Sequence, residues 1–301
     1  MILNANLNRQ TTMVPIMTLK ALSHFNKVVT DEITDIKNHL KEKVEEQTQE
    51  LRKSYEKLKE LDAAKESFIS VASHALRTPL TVIKGYADFL RSEKFGQLNA
   101  QQKDFIERIF CNTNDLLALI NDILDVSKIE AGHLEIEITE INLAKFCEKI
   151  TADFQIMAAK KQIDFKVVLP GKTELTFKTD EKYLREILNN LLGNAYKFTP
   201  PQGKITLSIE NFSQDPRFLQ FCVSDSGIGI PQQEQKTIFE KFHQIGGFLR
   251  RQYNGTGLGL TIVNGLVSAL RGRIWVESQE KQGSKFFFLI LKNYNATKTH
   301  K

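Results

Sequence analysis

The sequence predicts a multidomain α and α+β chain: a long coiled-coil helix, a helical hairpin that dimerises into a four-helix bundle, then an α/β sandwich. Three observations carry this expectation. Residues 31–70 hold no Gly and no Pro and set apolar residues on a drifting seven-residue repeat. Two more apolar stripes, at spacings of three and four, flank a short turn-like stretch. After Gly132 the pattern changes to short strand-like runs interleaved with helical ones, the sequence form of a sheet covered by helices.

Composition sets the outer limits. The 301 residues amount to about two domains at roughly 150 residues each. Hydrophobic residues at 41% and charged residues at 26% exclude a disordered chain, and 16 Gly with 7 Pro exclude collagen-like or low-complexity sequence. The net charge of 41 minus 36, or +5, comes from Lys and Arg interleaved with acids, which argues against a nucleic-acid partner. The longest apolar run is Phe286 to Leu291, against about eighteen residues for a membrane span. A cytoplasmic protein is therefore expected, touching a membrane only through a sensor part absent from this chain. Met1 is not followed by a charged and then apolar signal segment. Cys111, Cys147 and Cys222 are an odd three without C-x-x-C spacing, and read as small buried hydrophobes in a reducing compartment.

The elements follow in order. Val44, Leu51 and Leu58 form one seam position of the first helix; Ile33, Leu40, Leu61 and Phe68 form the other. The same heptad passes polar Gln47, Ser54 and Lys65, which suits a parallel coiled coil of modest stability; a plain spacer helix is the alternative. The seam runs into a stripe of Leu76, Leu80, Ile83, Ala87 and Leu90. After SEKFGQLNA, a second stripe of Phe105, Ile109, Leu116, Leu119 and Ile123 runs on to a stop at Ala131-Gly132. One hairpin holds too little core to stand alone, so a homodimer is expected. LEIEI then reads as a half-buried strand, and LAKFCEKITADFQIMAAKK as a helix. IDFKVVL and ELTFKT read as strands around the turn at Pro170-Gly171, and DEKYLREILNNLLGNAYKF as a helix. The strands KITLSIE, FLQFCVSD, GRIWVES and SKFFFLIL, with the helix GLTIVNGLVSAL before the last two, complete one sheet under helices. Phe286 to Leu291, apolar on both faces, suits a central strand. Domain boundaries fall at 1–64 for the N-terminal segment and long helix, 65–132 for the hairpin, 138–293 for the sandwich and 294–301 for a tail.

Chemistry concentrates in three places. On a helical wheel His74 lies some 160–240° from Leu76, Ile83, Ala87 and Leu90, so its imidazole is exposed. DSGIGIP at Asp225–Pro231 and GTGLGL at Gly255–Leu260 are Gly-rich segments at strand and helix ends. Their backbone can approach a nucleotide closely, with phosphate at the helix N-terminus from Leu258 onward. The glycine spacing fits neither a dinucleotide fingerprint nor a P-loop. NNLLGNAYKFTP upstream adds Asn190, Asn194 and Lys197, and FEKFHQ adds Phe239 and Phe242, which could also be core at helical spacing.

Taken together, Ser73-His74-Ala75-Leu76-Arg77-Thr78-Pro79-Leu80 resembles the H-box of sensor histidine kinases. The four later segments, NNLLGNAYKFTP, DSGIGIP, FEKFHQ and GTGLGL, resemble their N, G1, F and G2 boxes. The resemblance covers residues 60–292 and implies a HisKA-type dimerisation and phosphotransfer domain joined to a GHKL-type ATP-binding domain, the ATPase superfamily that also holds gyrase. It implies that ATP with Mg²⁺ phosphorylates His74, which passes the phosphoryl group to an aspartate of a response regulator receiver domain. By its motifs Asn194 is the Mg²⁺ ligand, with Asn190 and Lys197 near the phosphates, and Asp225 accepts the exocyclic amine of adenine. Gly227 and Gly229 line the base pocket. Gly255, Thr256, Gly257, Leu258 and Gly259 hinge the lid and cradle phosphate. Arg251 meets the γ-phosphate, and Thr78 positions water for dephosphorylating the receiver.

One position departs from the pattern. The family places an acid after the histidine to take the Nδ1 proton, and here that residue is Ala75. A positioned general base contributes about 10²- to 10⁴-fold. The leading expectation is an active kinase in which water or a carbonyl stands in. The alternatives are a kinase-impaired receiver phosphatase and an ATP-binding interaction module. Asn254, where the family often has Gly, is expected to matter little, since Asn tolerates positive φ.

Overall fold

The computed structural model describes residues 7–94, 96–171, 175–244 and 256–293, with side chains from residue 18 onward. Arg251, Asn254, Gly255 and the tail 294–301 lie outside them.

The chain divides into two compact units, Met1–Phe68 and Ile69–Lys301. In the first, helix α1 (Leu7–Arg91) runs unbroken through the predicted coiled-coil stretch. Its seam residues are all exposed in the single chain, from Leu40 at 56% to Phe68 at 73%. Among the described residues no helix is long and apolar enough to cross a membrane.

In the second unit the end of α1 pairs with α2 (Ala100–Ala131) as the predicted hairpin. Asn99 begins α2 with a capping box: its side chain accepts from the Gln102 N–H (2.8 Å), and the Gln102 side chain accepts from the Asn99 N–H (2.9 Å). Gly132 ends α2 in the left-handed region at φ 69°, as its position after Ala131 implied. Arg91 reaches across the hairpin to Glu107 and lies over the Phe110 ring. The expected inner stripe is mostly uncovered. Ala87 is buried, but Leu76, Ile83 and Leu90 are exposed, as are Phe105, Ile109 and Leu116 on α2. Ser73, Ala87, Ile106, Thr113 and Ile120 fill the hairpin's interior instead. Ser73, Ala87 and Thr113 share the interior with two isoleucines, while most of the larger apolar residues face outward.

The remaining chain builds two sheets rather than one. β1 (Thr139–Asn142) and β3 (Thr176–Thr179) form an antiparallel pair. The main sheet has the order β2-β4-β5-β7-β6, from β2 (Asp164–Val168), β4 (Lys204–Asn211), β5 (Phe218–Asp225), β6 (Ile274–Gln279) and β7 (Gly283–Leu291). β2 runs parallel to β4, and the other pairings are antiparallel. The strands flanking Pro170 therefore belong to different sheets. β7 is an interior strand, as its two apolar faces require. Phe221 and Phe288 stack on its inner face (4.7 Å), and Phe287 and Trp275 on the outer (5.2 Å). LEIEI is no strand: regular pairing starts only at Thr139, while Leu134 and Ile136 pack half-buried against the core. Their alternation reflects one-sided burial without a ladder partner.

Helices α3 (Leu143–Lys160), α4 (Glu181–Phe198) and α5 (Gly259–Ala269) cover the sheet's inner face. Val126 of α2 joins this core, with Leu119, Ile123 and Ile129 packed against it. Gly265 makes room: a Cβ there would stand 2.5 Å from Ile129 Cγ2. The hairpin and the sandwich thus share one apolar contact that the domain boundaries drawn from sequence separate.

Candidate functional site

α4 supplies one wall of the site. Asp180 caps it, accepting from the Tyr183 N–H (3.0 Å). Leu184, Ile187, Leu188, Leu191 and Ala195 turn into the core. Glu186, Asn190 and Asn194, four residues apart, therefore share the opposite face. Asn190 is fixed by donating its Nδ2 to the Glu186 carbonyl (3.0 Å). Its Oδ1 lies against Gly259, where a Cβ would be 2.7 Å away. This asparagine face thus meets the first turn of α5, whose unpaired N–H groups favour anions.

Asp225 ends β5, opposite Ser284 on β7. Its Oδ1 accepts from the Gly227 N–H (2.8 Å). Burial pushes this carboxyl up, and the Gly227 and Ser284 N–H groups oppose the shift. Gly229, at φ 69°, stands so close to the β6–β7 turn that a Cβ would lie 2.0 Å from the Gln279 carbonyl oxygen. Gly257, at φ 71°, packs on the backbone of Phe242 and His243.

These groups surround a cavity of about 270 Å³. Asn190, Asn194, Lys197, Asp225, Gly229, Thr256, Gly257 and Gly259 line it, so eight of the predicted binding residues converge. Gly227, Leu258, Phe239 and Phe242 are not among the lining residues. Gly227 packs on the Phe198 carbonyl, and Leu258 is fully buried as the N-cap of α5. Phe239 is half-buried against the core, with its carbonyl accepting from Thr261 (3.1 Å). Phe242 is exposed at φ 58°, so neither phenylalanine touches the cavity. Arg251 and Gly255 lie outside the described residues.

Sequence reasoning missed several walls. Ile228, Ile230, Ile238 and Phe286 form an apolar surface suited to a planar base. Ser284 enters from β7, and His243 from the FEKFHQ segment, held by Glu234 (2.6 Å). Asp122 enters from α2 and accepts a hydrogen bond from Thr256 Oγ1 (3.0 Å). Ile228, Ile230 and His243 sit inside DSGIGIP and FEKFHQ and could have been read from them, whereas Ile238, Phe286, Ser284 and Asp122 belong to none of these motifs and are brought to the cavity from distant segments. Burial lowers the Lys197 pKa.

His74 lies exposed on α1, away from the cavity lining. Thr78 Oγ1 donates to the His74 carbonyl (3.2 Å), setting its hydroxyl one turn along. Arg77 donates to Asn121 on α2 (2.7 Å).

The donor set suits a purine nucleotide. An apolar slot takes the base, Asp225 offers an acceptor for an exocyclic amine, and amides with an α5 N-terminus receive phosphate. Among the described residues no three His, Cys, Asp or Glu form a metal group. The amide oxygens of Asn190 and Asn194 at the cavity are hard donors of the kind a magnesium ion would accept beside phosphate.

The fold joins a sandwich with a nucleotide-type cavity to a helical hairpin, and known proteins share both parts. Residues 64–132 match the His Kinase A (phospho-acceptor) domain, and residues 179–294 the Histidine kinase-, DNA gyrase B-, and HSP90-like ATPase family. The circadian input-output histidine kinase CikA of Synechococcus elongatus is 40% identical over 85% of this chain and 34% of its own length. Full-length ShkA, solved in complex with AMPPNP, aligns at TM-score 0.62 and 28% identity over 76% of this chain and 46% of that one. Histidine kinase ThkA, solved with the response regulator protein TrrA, aligns at TM-score 0.51 and 26% identity over 74% of this chain and 60% of that one. The chain thus belongs to the histidine kinases, and it spans less than two thirds of each of these relatives.

Proposed function

We propose that the chain is the kinase core of a two-component system. Mg·ATP occupies the cavity, and His74 Nε2 attacks the γ-phosphorus. The N–P bond forms, the bond to the β,γ-bridging oxygen breaks, and ADP leaves. The phosphoryl group then passes to an aspartate of a response regulator receiver domain. Mg²⁺, when bound, offsets phosphate charge. Asn194 offers it an amide oxygen, Asn190 and the α5 N-terminus orient the phosphates, Lys197 adds positive charge and Asp225 selects adenine. The observation that carries this reading is the convergence of those residues on one cavity, in a chain that presents His74 on an exposed helix face.

The uncovered apolar residues of the hairpin, from Leu76 to Leu90 and Phe105 to Leu116, support a homodimer in which two hairpins form a four-helix bundle. Use of ATP supports a cytoplasmic location. Thr78, one turn from His74, takes the part of positioning water when the receiver is dephosphorylated. With Ala75 beside the histidine, a water or backbone carbonyl accepts the Nδ1 proton.

The test is a time course of acid-labile phosphate from γ-labelled Mg·ATP. Native chain is expected to label, His74→Gln to abolish labelling and Ala75→Glu to accelerate it. Labelling that survives His74→Gln overturns the acceptor. Undiminished labelling in Asn194→Ala, which removes the oxygen donor, overturns the cation-binding role.

A further inference from the structure

Two neighbours on α2 reach in different directions. Asn121 accepts from Arg77, three residues past His74 (2.7 Å). Asp122, about 100° further round the helix, accepts from Thr256 just ahead of α5 (3.0 Å). The Thr256 hydroxyl in turn accepts from the Leu258 N–H (3.2 Å). Asp122 also lines the cavity with Asn190, Asn194 and Gly259. The hairpin therefore sets a carboxylate among the residues assigned to phosphate.

The surroundings do little to neutralise it. Asp125 lies three residues along α2, and Glu186 shares the α4 face with the two asparagines. Lys197 is the one permanent cation among the described lining residues. Burial pushes the Asp122 carboxyl up, Thr256 opposes this and Asp125 adds to it, so the charge is already costly there before any ligand arrives. A triphosphate adds several negative charges to the same space. Like charges a few ångström apart in a partly buried setting weaken binding on the order of ten-fold or more.

We propose that Asp122 is an autoinhibitory carboxylate: with α2 packed on the sandwich, it opposes nucleotide phosphate and holds Thr256 in its place, so that triphosphate binding and the packed position of α2 exclude one another. This rests on the nucleotide reading of the cavity. Coupling of this kind is reciprocal, so triphosphate loosens α2 to the extent that packed α2 weakens triphosphate. Because Asn121 ties the same turn of α2 to the phosphoacceptor helix, a rotation of α2 that frees Asp122 also acts on the Arg77–Asn121 bond.

Calorimetric titration of the full chain tests this, using adenosine and a non-hydrolysable ATP analogue with Mg²⁺. Asp122→Asn keeps an acceptor for Thr256 and removes the charge. It is expected to bind the triphosphate analogue on the order of ten-fold tighter with adenosine affinity unchanged. Asp122→Ala, which removes the acceptor as well, should gain at least as much. Unchanged triphosphate affinity in both variants overturns the proposal. So does weaker binding that appears only with Mg²⁺, which would make Asp122 a cation ligand. In the native chain, amide exchange along residues 116–130 should accelerate on adding the analogue, and exchange that stays constant or slows also overturns it. Asp225→Ala, which removes the acceptor, separates the two readings: if it leaves adenosine binding intact, the nucleotide assignment itself has failed.

Discussion

Glu186→Gln tests how α2 and α4 meet. Glu186 lies half-buried one turn before Asn190, and Asp125 and Asp122 approach it from α2. Burial first, then Asp125, pushes its carboxyl up from 4.5 to about 6, while Lys182 and Lys128 pull the other way. The folded protein therefore holds this proton more tightly than the unfolded chain does. Its contribution to stability is complete below 4.5 and is lost as pH rises through about 6. The full loss is about 2 kcal/mol, from 1.36 kcal/mol per pH unit. Glutamine carries no such proton. The variant should match the native chain near pH 4 and exceed its stability by up to about 2 kcal/mol at pH 7.5. Urea unfolding followed through Trp275, the single tryptophan, reads this directly on β6. Parallel stability curves for the two proteins from pH 4 to 8, or a variant less stable at pH 7.5, would refute the reasoning.

Two further substitutions probe local geometry. Gly229→Ala forces a Cβ onto the Gln279 carbonyl oxygen at 2.0 Å from a backbone at φ 69°. The left-handed backbone alone costs about 1–2 kcal/mol, so a lower denaturation midpoint and weaker nucleotide binding are expected together in unfolding and titration experiments. Asn99→Ala removes half of the α2 capping box and should cost about 1 kcal/mol, seen as a lower thermal midpoint for the hairpin's circular dichroism signal.

Much of the fold was legible because the relevant signals are local. Gly132 after an apolar period ends α2 in a left-handed cap, and the uninterrupted stretch 31–70 is a helix. The four-residue spacing of Asn190 and Asn194 places both on one face and in one cavity. LEIEI misled because alternation reports which side is buried and not whether a neighbouring strand exists to pair with it. The two strands around Pro170-Gly171 are present as read, but they join different sheets, because β3 pairs with β1 and β2 with β4. Phe239 and Phe242 match a motif by spacing, yet the chain turns between them, leaving one against the core and the other in solvent.

The sequence alone determined the order of elements, the glycines that permit close approach and the residue types of the site. Each depends on backbone conformation or on neighbours within about one helical turn. Tertiary structure decided which apolar face of the hairpin is covered, and it brought Ser284 and the isoleucines to the cavity. It also joined Thr256 to Asp122, 134 residues apart in the chain. Periodicity specifies that a face must be buried, but the partner that buries it is chosen by packing between segments with no sequence relation to one another.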